Sequence, residues 1–209
     1  MATCFKKDSI PDKKMTLQEI IDDYMNNNHV DEKTTKSQLT TLGDCVAGVH
    51  NDSYSVNGFN RHSHQQDVDT QKMLDLIELL QSMFKMNKNG TVVCNKGQLT
   101  DFEELFELIA NAADKAGIFS KGTLIIYDTC YRIGCLMNQM ILPDAHVYVH
   151  RAPRDSVIIL FDKYGWPTGW DKTRLNKHYR IPRIYFPEPL RSCDSADIEA
   201  ILCIYNNKF

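Results

Sequence analysis

The chain has 209 residues, of which 43% are hydrophobic and 24% are charged, and its net charge is −3. This length suits one domain with its own core, and the composition excludes a largely disordered chain. Residues 118–191 contain eleven Lys and Arg but six Asp and Glu, so this segment carries +5 and the remainder −8. The asymmetry indicates a basic face, and an unevenly charged solvated surface is the plain alternative.

The cysteines and the apolar runs of the sequence also indicate the cellular compartment. Its seven cysteines form an odd set without a Cys-x-x-Cys pair, and its first residues have no apolar run typical of a secretory signal. No stretch approaches the roughly 18 uncharged apolar residues of a membrane span. We therefore predict a cytoplasmic protein with reduced thiols, no membrane segment and no cofactor.

The N-terminal half is predicted to be mostly helical. Residues 1–14 are polar and lysine-rich, which predicts a flexible terminus before a single domain over 15–209. Thr16 and Glu19 form a capping box that opens a helix. A poorly patterned helix is predicted over roughly 32–49, and the 3.6-residue spacing of apolar side chains over 68–84 predicts a well-defined one.

Further elements follow in order. Residues 91–94 are predicted as a short strand, and Thr100 and Glu103 as a second capping box that begins another helix. Residues 156–161 are a buried helix or strand, which periodicity does not resolve. Residues 162–190 are rich in Gly and Pro and predicted to be irregular, and a last helix runs through 198–204. The fold class is therefore mainly α, with minor β.

The central stretch, residues 118–151, is strongly apolar yet carries acidic, basic and histidine side chains. Burying them is costly unless they pair or line a cleft. We predict that these side chains line a cleft. The predicted catalytic residues are Asp128, Asp144 and His150, and the predicted pocket residues are Arg132, His146 and Arg151. Residues 124–127 fit either a buried strand or the start of a helix over 123–137.

The helical interpretation gives a helix, a turn at Ser120-Lys121-Gly122-Thr123 and a second helix, within residues 102–140. This unit resembles the helix-hairpin-helix of DNA-binding proteins, although Ser120 stands where that family usually has glycine. In the family, N–H groups at a helix N-terminus contact a phosphate. The resemblance implies that Ser120, Lys121, Gly122 and Thr123 contact nucleic acid.

The segment Asp144-Ala145-His146-Val147 resembles the Asp-x-His-hydrophobic segment of the glycosylase branch of that superfamily. The resemblance implies that Asp144 stabilises charge developing on a sugar. A second resemblance, to an uncharacterised bacterial protein family, spans three motifs and implies no activity. They are Tyr127-Asp128-Thr129-x-x-Arg132-Ile133-Gly134, Val147-Tyr148-x-His150 and Ile198-Glu199-x-x-Leu202-Cys203-Ile204-Tyr205.

A basic segment follows, with cations and aromatic side chains interleaved and no acid over residues 172–187. Cations neutralise phosphates and aromatic rings stack on bases, so the segment is typical of a nucleic-acid-binding loop. A solvated loop with aromatic side chains packed on the core is the alternative. The predicted contact residues are Lys172, Arg174, Lys177, Arg180 and Arg183.

Other interpretations remain open. Asp128 and Arg132 have the i, i+4 spacing of a structural ion pair. Cys130 with His146 or His150 would suit a cysteine hydrolase, which needs a thiol within reach of a histidine. The pair His62 and His64 lacks further ligands nearby, so no metal site is predicted.

The function that these patterns favour is nucleic-acid binding through the phosphate backbone of DNA or RNA, with or without glycosylase- or nuclease-like activity. Two alternatives are a protein-interaction or structural subunit without catalysis and a cysteine hydrolase. The sequence does not indicate the substrate, the oligomeric state or whether the protein is an enzyme.

Overall fold

A computed structural model describes residues 13–48, 54–56, 59–61, 65, 67–206 and 208–209. These residues are mainly helical, which confirms the predicted fold class. The α-helices are α1 (Leu17–Asn27), α2 (Glu32–Ser37), α3 (Leu42–Ala47), α4 (Thr70–Met83), α5 (Phe102–Lys115), α6 (Leu124–Leu136), α7 (Arg151–Tyr164), α8 (Lys172–Lys177) and α9 (Ser195–Ile204).

The strands are short and form three antiparallel pairs among the described residues. They are β1 (Tyr54–Val56) with β2 (Phe59–Arg61), β3 (Phe84–Met86) with β4 (Val92–Cys94), and β5 (His146–Tyr148) with β6 (Arg180–Pro182). None of the helices in the described part of the chain has the length and apolar character that crossing a membrane requires.

The chain divides into two compact units. Unit 1 combines the N-terminal segment up to Val30 with Pro143–Phe209, and unit 2 is Asp31–Leu142. Unit 1 is therefore assembled from both ends of the chain. The prediction of one domain over residues 15–209 stays a prediction.

Unit 1 is built around the β5–β6 pair and the packing of α7 on α9. Val147 is paired with Ile181 in the sheet, and both are fully buried. The predicted capping box is confirmed: the Thr16 hydroxyl accepts from the Glu19 N–H, and the Glu19 carboxylate accepts from the Thr16 N–H. This cap begins α1, whose apolar face joins the same core.

The two ends of the chain are joined within unit 1. The Tyr24 hydroxyl, on α1, donates to the Asp197 carboxylate on α9 over 2.9 Å. Burial raises the pKa of Asp197, while the hydrogen bond from Tyr24 acts in the opposite direction. Lys14 donates to the main-chain oxygen of Phe209 over 2.8 Å. Residues 1–12 of the predicted flexible terminus lie outside the described residues.

Unit 2 is a cluster of helices in which α6 packs against α2, α3 and α5, and α4 packs against α3 and α5. The predicted spacing over 68–84 is confirmed by α4, which buries Met73, Leu76 and Leu80 completely. The central stretch is helical from Leu124, so the helical interpretation of residues 124–127 is correct.

Two local predictions need correction, and one open alternative is decided. The helix predicted over 32–49 is two short helices, α2 and α3, because Thr41 caps a new helix through its own capping box with Asp44. The second capping box is also wrong: Asp101 is the N-cap of α5 and accepts from the Glu104 N–H. Of the two alternatives for residues 156–161, the helix is correct, since they belong to α7.

Candidate functional site

The most deeply buried ionisable pair is in unit 2, on α6. Arg132 Nη2 lies 3.2 Å from Asp128 Oδ2, and the two side chains are 1% and 0% exposed. Arg132 Nη1 also donates to the carbonyl of Cys45 over 3.0 Å, near the end of α3. This environment gives the guanidinium partners on both sides, as a buried charge requires.

Gly48 makes room for this guanidinium. It ends α3 in the left-handed region, at φ 68°, and a Cβ there would lie 2.7 Å from Arg132 Nη2. Glycine is thus required both by conformation and by space. The predicted catalytic residue Asp128 and pocket residue Arg132 therefore hold α3 against α6, in a position without solvent access that favours a structural role.

The predicted phosphate-binding turn, Ser120–Thr123, connects α5 and α6. The Thr123 hydroxyl donates to the Ser120 carbonyl over 2.9 Å, and no side chain caps α6. Lys121 Nζ lies 3.7 Å from a Glu107 carboxylate oxygen, which partly neutralises it. The turn does join two packed helices, and the helix-hairpin-helix resemblance itself stays a prediction.

Asp144, the predicted glycosylase acid, lies in unit 1 and is 84% exposed. Its carboxylate accepts from Arg183 Nη2 over 2.9 Å, and its carbonyl accepts from the Ser195 hydroxyl over 2.6 Å. A catalytic acid is usually tuned by burial or by neighbouring charges in a cleft. An open, ion-paired carboxylate lacks that setting.

The cations predicted to contact nucleic acid in residues 172–183 also lie in unit 1. Several have partners: Lys172 pairs with Asp162 at 2.8 Å, and Arg180 lies over the Tyr179 ring at 5.6 Å. Lys177 is exposed and has no acidic partner within the described ranges. The charge of the segment is therefore partly used internally and partly presented to solvent.

Trp170 is buried in the core of unit 1, and together with the side chains around it forms a group that we call the basic–aromatic surface. Its other members are Arg154, Arg174, Lys177, His178 and Tyr185. The Arg174 guanidinium lies over the Trp170 ring at 4.8 Å, and the rings of His178 and Tyr185 lie 5.4 and 6.0 Å from it. Arg154 Nη2 donates to the His178 carbonyl over 3.1 Å. The surface thus brings cations and rings of residues 154–185 together.

A second cluster in unit 1 contains His150, Glu199 and Cys203. His150 Nε2 lies 2.9 Å from Glu199 Oε1, and the Cys203 sulfur lies within 4.8 Å of both ligand atoms. His150 is the N-cap of α7, just after β5 and beside the exposed Arg151, whereas Glu199 and Cys203 are one turn apart on α9. His146 lies four residues earlier, where β5 begins.

Of the predicted site residues, this cluster includes only His150. Glu199 and Cys203 were missed, although both belong to the Ile198-Glu199-x-x-Leu202-Cys203 motif. Their i, i+4 spacing predicts a shared helix face, and a Glu within the otherwise apolar run of residues 198–204 was the available signal. Contact with a histidine 49 residues away has no local signal. His62 and His64 lie outside the described residues.

Cys130 has the opposite environment from an activated nucleophile. It is fully buried in unit 2, and desolvation raises the pKa of its thiol well above the ordinary value, with Asp128 adding to the shift. A nucleophilic cysteine instead needs a lowered pKa and some exposure. These features do not favour the predicted cysteine hydrolase.

Unit 2 also has a groove of about 430 Å³, and its lining includes Val92, Gly97, Met137 and Asn138. None of the predicted site residues lines it.

No protein-family model matches the chain, no curated protein matches its sequence, and no solved structure matches its fold.

Proposed function

We propose that the protein binds nucleic acid through the basic–aromatic surface of unit 1, with phosphates held by the cations and bases stacked at its aromatic edge. The observation that carries the proposal is the stack of Arg174 on Trp170 beside the exposed Lys177 and His178. Neighbouring cations and rings are the combination that nucleic-acid-binding grooves use.

The balance of charges supports this proposal. Lys172 and Arg183 are offset by Asp162 and Asp144, so they contribute little to the field. Lys177 and Arg174, on α8, are not offset by an acidic partner in the described part of the chain. The negative end of the helix dipole gives a structural reason for cations near the C-terminus of α8. It does not account for Arg154, which is on α7 and whose Nε is buried without a hydrogen-bond partner.

Apolar exposure beside these cations also supports the proposal. Tyr185 is 38% exposed and Ile184 is 67% exposed. Tyr185 is fixed in place by its edge contact with Trp170. A partly exposed, fixed ring is suited to stacking, which contributes about 1–3 kcal/mol per base. Single-stranded nucleic acid, whose bases are accessible, is therefore the favoured ligand.

Fluorescence anisotropy with labelled single-stranded and duplex oligonucleotides, over a salt series, tests the proposal. We expect salt-dependent binding by the full chain, tighter for single strands. Lys177→Ala should weaken it for all sequences and reduce the slope of log affinity against log salt by about 1. Lys88→Ala is the matched control, because Lys88 is an exposed lysine in unit 2.

Two outcomes would refute the proposal: no binding at low salt, or equal weakening in Lys177→Ala and Lys88→Ala. Either would favour the structural or protein-interaction role. Catalysis at Asp144 is not part of the proposal, because that carboxylate is open to solvent and paired with Arg183.

A further inference from the structure

Glu199 of unit 1 is a carboxylate whose burial is not explained by apolar packing. Its side chain is only 3% exposed, and its neighbours Ile198, Ala200 and Ile201 are buried. Burial of a carboxylate is costly unless a cation or a metal ion compensates its charge. Glu199 Oε1 lies 2.9 Å from His150 Nε2.

Cys203 adds a third donor to this pair. Because Glu199 and Cys203 are one helical turn apart, α9 presents both on one side. The start of α7 brings His150 to the same place, and the three donor atoms lie within 4.8 Å of one another. The packing of α7 on α9 therefore fixes a nitrogen, an oxygen and a sulfur donor together.

We propose that His150, Glu199 and Cys203 bind a divalent cation of the zinc class. The donor set decides the class: thiolate and imidazole are ligands of Zn²⁺ and similar transition metals, whereas Mg²⁺ and Ca²⁺ take oxygen ligands. Three protein ligands leave a fourth position of the tetrahedron for water or another small ligand.

Metal binding requires the donor atoms to move, by up to about 1 Å for the Cys203 sulfur, which lies within 4.8 Å of the other two donors. Tetrahedral zinc with ordinary bond lengths separates its ligand atoms by roughly 3.3–3.7 Å. The 2.9 Å between His150 Nε2 and Glu199 Oε1 is that of a hydrogen bond, so these atoms would move apart by a few tenths of an ångström. The cation would replace the proton between them, and the Cys203 thiol would release its own proton to solvent.

Titration of the chelator-treated full chain with Co²⁺ tests this site, since a thiolate ligand gives an intense sulfur-to-cobalt absorption band. We expect one Co²⁺ per chain with this band, and displacement of the Co²⁺ by Zn²⁺. Cys203→Ser should remove the band and weaken binding at least about tenfold, whereas His150→Gln should weaken binding but leave the sulfur band on the Co²⁺ that is still bound. Cys193→Ser, which alters another half-buried cysteine of unit 1, should leave both unchanged.

Circular dichroism of each variant shows whether it has folded, and Cys203→Ser is the conservative change that keeps the test decisive. Absence of Co²⁺ binding in the wild-type chain would overturn the proposal. Binding that survives Cys203→Ser would overturn it too, since the ion would then be held elsewhere. Because Lys177 is not among the ligands, metal binding that persists in Lys177→Ala separates this proposal from nucleic-acid binding.

Discussion

The guanidinium of Arg132 connects two helices of unit 2, since it bonds to Asp128 on α6 and to the carbonyl of Cys45 on α3. Arg132→Leu removes both contacts and leaves the Asp128 carboxylate buried without this cation. We expect a loss of about 3–5 kcal/mol in the free energy of unfolding, as for other broken buried pairs. Urea denaturation followed by circular dichroism measures it.

The matched control at this scale is Arg191→Ala, which removes an exposed pair with Glu188. Exposed pairs contribute little because water and salt screen them, so the urea midpoint should barely change. Equal midpoints for the wild type and Arg132→Leu would show that the buried pair is not needed to hold α3.

Individual residues show what local spacing can predict. The Asp128–Arg132 pair follows from its i, i+4 spacing, and the structure confirms it. The acceptor at Cys45 could not be predicted, because it is a backbone carbonyl 87 residues away and any residue type supplies one. The same limit applies to His150 and Glu199, which only tertiary packing brings together.

Gly134 allows the chain that follows helix α6 to pack closely against that helix. The Ile141 N–H donates to the Gly134 carbonyl over 3.1 Å, so the chain leaving the helix folds back against this residue. A Cβ at position 134 would overlap the Ile141 carbonyl oxygen. Gly134→Ala should therefore destabilise the protein by about 1–3 kcal/mol, despite the higher helix propensity of alanine. Thermal or urea unfolding measures the change.

Gly43→Ala, within α3, is the corresponding control. Its Cβ would come no closer than 3.3 Å to the Thr41 hydroxyl, which is a side-chain atom and can shift. We expect a much smaller effect there. If the two alanine variants unfolded at the same denaturant concentration, close contact with Ile141 would not be the reason for glycine at 134.

Whole helices were predictable where one face is buried and the other is exposed to solvent. The helix α4 follows from its 3.6-residue spacing, and α1 from its cap. The helix α6 could not be distinguished from a strand because residues 125–136 are buried on every side, which removes the alternation on which periodicity depends. Three-residue strands such as β5 are too short for a pattern.

At the scale of the whole molecule, the division into two units has no local sequence signal. Its boundaries lie between Val30 and Asp31 and between Leu142 and Pro143. Neither is a long stretch of Gly, Ser and Pro such as often marks a linker. The membership of α1 in the unit of α9 depends on contacts such as that of Tyr24 with Asp197, across 173 positions of the chain.

Unfolding should depend on alkaline pH because unit 2 buries several thiols. Desolvation raises the pKa of Cys45 and Cys130, and that of Cys135 to about 12. Below the ordinary value of 9.0 these thiols are protonated in both states. As pH rises above it, only the unfolded chain loses those protons, so the free energy of unfolding should fall over about pH 9–12.

Urea unfolding at a series of alkaline pH values measures this loss, and Cys135→Ala isolates one contribution. Lysines and tyrosines titrate in the same range in both proteins, but the variant lacks one buried thiol. Its stability should therefore fall less steeply with pH, whatever its stability at neutral pH. Parallel curves for wild type and variant would contradict the assignment.

The assembly of unit 1 from both ends of the chain has a consequence for synthesis on the ribosome. Helix α1 emerges well before α9, but its apolar side chains Leu17, Ile20 and Tyr24 pack in a core that includes Ile198 and Leu202 of α9. At roughly 5–20 residues per second, the wait between them is on the order of ten seconds. During translation the apolar face of the nascent α1 is thus exposed without its native packing partner. A chaperone that binds short amphipathic helices would bind α1 at this stage.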